Sequence, residues 1–164
     1  MHNFKKIIKT IIVLGVCAAL LVGIDMALYP CTFMRNDIHA AVTNPYDDII
    51  LGTSHGMTDI DPAVMKDITG RTGHNMCVGG EYEIDAYYIA KLIAEKQKPT
   101  RIIYEVDPGY FVSEKEEGNN YLLFYHEFPF SKAKLEYFWN SIAKCNFRTV
   151  LFPWYEYSLS YELG

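Results

Sequence analysis

From residue 47 onward the apolar positions alternate between two spacings, and the changes of spacing divide the chain into strands and helices. DIILG, residues 48–52, is a short apolar run closed by a glycine, the pattern of a buried strand. DPAVMKDIT follows as a short helix, with Asp61 as N-cap and Pro62 at the first helical position, where a missing N–H is harmless. HNMCV, residues 74–78, predicts a second strand. Residues 83–96 then bring Ile84, Tyr87, Tyr88, Leu92 and Ile93 onto a helical face before Lys98 and Pro99 end it. RIIYEV, residues 101–106, predicts a third strand, GYFVSEKEEGNN a polar excursion, and residues 132–143 a further helix within an aromatic-rich remainder. Strands alternating with helices through short connections predict an α/β fold with a parallel sheet covered on both faces. Ligands of such sheets bind beyond the carboxyl ends of the strands, so residues 52–56, 78–81 and 107–111 are expected to meet at one rim.

The N-terminus follows another rule. Lys5, Lys6 and Lys9 precede an uncharged apolar stretch, residues 10–24, and residues 7–29 are long enough to cross a bilayer core of about 30 Å if Lys9 snorkels and Asp25 sits at the far interface. The lysines predict a cytoplasmic N-terminus and an exported remainder. The same stretch also fits a cleaved secretory signal, but no small-x-small site follows Asp25, which favours an uncleaved single-pass anchor. Val16 before Cys17 is too bulky for lipoprotein processing. Residues 1–29 therefore read as basic tip and anchor, 30–46 as an irregular linker ending in Asn44-Pro45, and 47–164 as the α/β domain.

Composition narrows the function. The 164 residues carry a formal charge of −5, and beyond the N-terminus the basic residues are scattered, with no stripe interleaved with aromatics to track a phosphate backbone. Nucleic acid is excluded as a partner. Beyond the apolar stretch stand Cys31, Cys77 and Cys145, an odd number that cannot all pair within one chain and lacks the close spacing of a zinc site. They read as small buried apolar residues, and no cofactor or metal is expected.

One stretch carries candidate chemistry. Gly52-Thr53-Ser54-His55-Gly56 ends the first strand in a G-x-S-x-G turn, where flanking glycines let a serine hydroxyl project from the strand end. The plain structural alternative is a tight strand-to-helix turn with the Ser54 hydroxyl capping the next helix. Asp59 and Asp61 are expected to be helix-start residues.

In α/β-hydrolases several strands precede such a serine, whereas here it follows the first. That order resembles the SGNH (GDSL-type) hydrolase superfamily. ILGTSHGMTDIDP, GHNMCVGGEYEIDAYYIAKLI and PTRIIYEVDPGYF, with the apolar N-terminus, resemble its membrane-anchored envelope group over residues 1–111. That group includes proteins similar to the D-alanine transfer protein of teichoic acid modification and to the acyltransferase partners of membrane-bound O-acyltransferases. The resemblance implies a flavodoxin-like three-layer parallel sheet, acyl-ester chemistry on an extracellular cell-wall or exported polysaccharide, and a membrane-bound O-acyltransferase as partner. Ser54 matches the nucleophile, and Gly79 or Gly80 the glycine whose backbone N–H helps to bind the oxyanion.

The chain departs from that pattern twice. Glu105-Val106-Asp107-Pro108 stands where the superfamily has a G-x-N-D block. The Asp-x-x-His segment that supplies the base is missing before Gly164, so the domain is expected to be truncated and to have little hydrolytic activity as it stands. His126, in FYHEFPF, is a substitute base or a packed or surface residue. His55, adjacent to Ser54, is a substitute base or, with Asp107, a substrate contact. A non-catalytic membrane-anchored envelope protein or gene fragment with a binding or assembly role is the alternative to an enzyme.

Overall fold

In a computed structural model, residues 2–28, 33–111 and 123–141 are described. Helix α1 (His2–Leu28) is largely apolar, and its residues 4–27 are exposed apart from the half-buried Asp25. Its segment Phe4–Ala27 contains an 18-residue stretch with a mean hydropathy of 2.6 and is long and apolar enough to span a membrane. Among the described residues a three-stranded parallel sheet follows, β1 (Asp48–Leu51), β2 (Gly73–Asn75) and β3 (Arg101–Tyr104), in the order β2-β1-β3. Ile49 pairs with His74 on one side and Ile102 on the other. The α/β class expected from the alternating pattern is thus present. The ladder outlasts the regular strand at β2, where the Met76 N–H donates to the Ile50 carbonyl at 2.8 Å and the Val78 N–H to the Gly52 carbonyl at 3.0 Å.

β1 is buried throughout, with its side chains alternating between two environments. Ile49 and Leu51 join the main core with Ile89, Leu92 and Ile93 of α5 (Glu83–Lys96). On the opposite face, level with Ile50, the Asn75 amide donates to the carbonyls of Gly56 and Ile60 at 2.9 and 2.8 Å. It thereby holds α3 (Ser54–Asp59) beside the sheet. Helix α4 (Pro62–Thr69) follows with Asp61 as N-cap, its side chain accepting from the Ala63 N–H at 2.7 Å, and Gly70 closing it at φ +72°. That helix matches the pattern read from DPAVMKDIT.

The linker expected over residues 30–46 needs correction. Residues 33–43 form α2 (Phe33–Thr43), an integral part of the core, so the folded part begins well before Asp47. Met34, Ile38 and Ala41 lie at helical spacing and are buried against α5, while polar Arg35, Asn36 and Asp37 between them obscure the period. Tertiary burial supplies what the diluted pattern does not announce.

Two further helices complete the described part. α7 (Lys132–Asn140) stacks Tyr137 on Tyr88 of α5 with ring centroids 4.8 Å apart, and the Tyr137 hydroxyl donates to the buried Asp85 carboxylate. α6 (Leu123–Glu127) is tied to α2 by the Arg35 guanidinium, which donates to Glu127 at 2.9 Å.

Candidate functional site

The site is built where β1 ends. Gly52 has φ +149°, and a Cβ there would stand 2.7 Å from the Glu105 Cβ and 2.8 Å from its Oε2. Only glycine lets β1 exit this close to the residue following β3. In the space so left, the Glu105 carboxylate accepts the Thr53 N–H at 2.8 Å and the Thr53 hydroxyl at 2.9 Å. Thr53 Oγ1 in turn accepts the His55 N–H at 3.4 Å as N-cap of α3. Thr53, not Ser54, performs the capping that the plain structural reading assigned to the serine. Ser54 is the first residue of α3 and is exposed.

The loop after β2 approaches from the other side. Val78 is joined to Gly52 as above, and the Glu81 N–H returns to the Val78 carbonyl at 3.1 Å around Gly80, whose φ is +84°. A Cβ on Gly79 would be 3.6 Å from the Ser54 Cβ. The two candidate oxyanion glycines therefore differ: Gly79 adjoins the Ser54 side chain, whereas Gly80 makes the turn that brings it there. The second glycine of the motif, Gly56, has a packing reason, since a Cβ there would lie 2.6 Å from Cys77 Sγ. Burial pushes the Cys77 thiol up to about 12, helped by the Glu81 and Glu105 carboxylates, which leaves an inert apolar filler.

After β3 the chain supplies Asp107, whose Oδ1 accepts the Gly109 N–H at 2.7 Å and whose Oδ2 stands 3.5 Å from His55 Nδ1. His55 is 68% exposed at its side chain and Asp107 22%. Ser54, His55, Gly79 and Asp107 thus share the carboxyl rim of the sheet. Chemically, the rim presents a hydroxyl beside a backbone turn and next to an imidazole–carboxylate pair. β1 lies between β2 and β3, so the contacts of Thr53 with Glu105 and of His55 with Asp107 bridge the point where the strand order reverses, a place where ligands bind in open α/β sheets.

His126 is located elsewhere in the core: it is buried on α6, edge-on to Tyr125 at 5.8 Å, within the layer that packs over α2 and α7. Asp59 is exposed beside Thr58. Among the described residues no cluster of His, Cys, Asp and Glu suits a metal ion. Cys31 and Cys145 lie outside the described residues, as does most of the polar excursion.

Sequence reasoning missed Glu105. Its signal was a carboxylate at the end of an otherwise apolar strand, read only as a departure from the superfamily's asparagine. The fold and site define an α/β domain with an exposed serine at the carboxyl end of its central strand, carried behind an apolar helix of membrane-spanning length. Comparison with family models, curated proteins and solved structures returns no match for this chain.

Proposed function

We propose that the chain is an SGNH-like serine esterase or acyltransferase, anchored in a membrane by α1, that acts on acyl groups of an extracellular cell-wall or exported polysaccharide. The observation that carries this reading is the exposed Ser54 at the end of the central strand, with the Gly79 backbone against its side chain. The order β2-β1-β3 agrees with the first three strands of a flavodoxin-like sheet, 2-1-3-4-5, and supports extending the fold to the three-layer SGNH type.

In this reading Ser54 Oγ attacks the acyl carbonyl, and the donor's ester C–O bond breaks as its alcohol leaves with the proton taken from Ser54. Water or a sugar hydroxyl then takes the acyl group from the serine ester and restores the Ser54 hydroxyl. Charge developing on the carbonyl oxygen falls next to the backbone at Gly79, where a fixed N–H is most effective. The proton leaving Ser54 needs an imidazole, and His55, oriented through Nδ1 by Asp107, is the His–carboxylate pair on this rim. The basic residues Lys5, Lys6 and Lys9 keep the N-terminus cytoplasmic and put the domain outside, where a membrane-bound O-acyltransferase would supply acyl groups.

The test is covalent trapping. Full-length protein in detergent or nanodiscs is treated with a fluorophosphonate probe, and the modified peptide is identified by mass spectrometry. The expected adduct is on Ser54 and is lost in Ser54→Ala. No adduct on Ser54 in well-folded protein overturns the enzyme reading in favour of a binding or assembly role.

A further inference from the structure

Helix α2 runs opposite to β1, and this settles which end of the domain is nearest the anchor. At its far end the Ala41 carbonyl accepts the Gln97 side-chain amide, and Gln97 also accepts the Tyr46 N–H at 3.3 Å as the chain turns into β1. That is the amino rim of the sheet. At its near end Phe33 and Asp37 line a groove of about 420 Å³ with Met57 and Thr58 of α3 and with Cys77 beyond β2. Phe33 therefore stands at the carboxyl rim, and Thr58, one helical turn after Ser54, donates its hydroxyl to the Ser54 carbonyl at 3.1 Å. Residues 29–32 alone separate Leu28, the end of α1, from Phe33, and five fully extended steps reach at most about 18 Å.

We infer that the Ser54 rim lies against the bilayer surface, so that the site draws a ligand held at the membrane–water interface. The inference rests on the reading of α1 as a membrane anchor. The exposed side chains agree with it. Phe33, Met57 and Val106, on the three elements of this rim, are 60, 53 and 52% exposed, whereas the opposite rim presents Lys96, Lys98 and Arg101 to water. Large apolar groups at a rim tethered this closely are placed to enter the interfacial region, and charged groups at the far rim stay hydrated. Asp37 and Asp61 on the groove wall disfavour anionic head groups, so the surface suits a neutral or zwitterionic bilayer. The ligand class is an amphiphile whose reacting ester sits at head-group depth.

Full-length protein is placed in phosphatidylcholine nanodiscs with p-benzoylphenylalanine in place of one residue at a time: Val16 in α1, Met57 or Val106 on the Ser54 rim, or Lys98 on the opposite rim. After irradiation, lipid adducts are measured by mass spectrometry. Adducts are expected from positions 16, 57 and 106, with position 98 at least tenfold lower. Equal yields at 57, 106 and 98, or none at 57 and 106 while 16 reacts, overturn the inference and leave the anchor standing. No adduct at 16 overturns the anchor and, with it, this placement.

Discussion

The two rims of the sheet contain similar residue types put to opposite uses. At the amino rim Asp48 is buried and receives both arginines: Arg101 through Nη2 at 2.7 Å and Nε at 3.0 Å, and Arg71 through Nη2 at 2.7 Å. Its neighbour Asp47 accepts the Thr72 N–H at 2.9 Å and the Thr72 hydroxyl at 3.0 Å. Both carboxylates are closed on the protein itself, and the bonds from Arg101 and Arg71 hold the Asp48 carboxyl down to about 2. The carboxyl rim also has carboxylates, of which Glu105 is spent on structure through Thr53, while Asp107 gives one oxygen to the Gly109 N–H and turns the other toward His55. Ser54 and His55 face solvent, and the His55–Asp107 approach is a long 3.5 Å. Saturated polar groups fasten strands together, while groups left open where the strand order reverses are available to a ligand.

That contrast breaks or holds under substitution. The largest effect is expected from Ser54→Ala: fluorophosphonate labelling and any ester turnover fall at least about a hundredfold, with thermal unfolding unchanged. A comparable loss of stability would make Ser54 a structural residue like those of the opposite rim.

Next in size is Gly52→Ala. A side chain at φ +149°, meeting the Glu105 Cβ at 2.7 Å and its carbonyl oxygen at 3.0 Å, should cost about 3 kcal/mol in urea unfolding. A change below about 1 kcal/mol would mean that Glu105 does not pack against the strand exit. Gly56→Ala should cost less, and part of that loss should return when Cys77→Ala removes the sulfur 2.6 Å away; strict additivity of the two changes would deny the contact.

Asp48→Asn should lower the melting temperature by several degrees and flatten the acid response. The folded carboxyl titrates near 2, below its ordinary value of 3.8, so the unfolded chain binds more protons in between. Its contribution is complete above about pH 4 and is lost as pH falls toward 2. Calorimetry of both proteins from pH 6 to 2 should show a steeper decline in the parent, and parallel curves would refute the pairing. The smallest effect belongs to Asp107→Asn, expected to slow Ser54 labelling about tenfold with melting unchanged. Unaltered labelling would remove the His55–Asp107 pair from the chemistry.

Much of this was legible along the chain. The apolar run at residues 48–51 and the face formed by Leu92 and Ile93 announced β1 and α5, and Asp61-Pro62 announced the start of α4, because burial and capping act over a few neighbouring residues. The serine between glycines was equally visible, although the sequence alone left open whether its hydroxyl caps α3; Thr53 takes that part. α2 was not legible, since its buried positions are diluted by polar ones and have meaning only against α5.

By itself, then, the amino-acid sequence determined the apolar N-terminal helix, the alternation of strands and helices, and the exposed turn at Ser54, all properties of short-range spacing. The tertiary structure alone decided that Glu105 holds Thr53 across 52 residues of chain, that His55 meets Asp107, and that α2 begins beside the Ser54 rim. Those contacts depend on β1 lying between β2 and β3. That order buries β1 between two neighbours, and no local pattern encodes it.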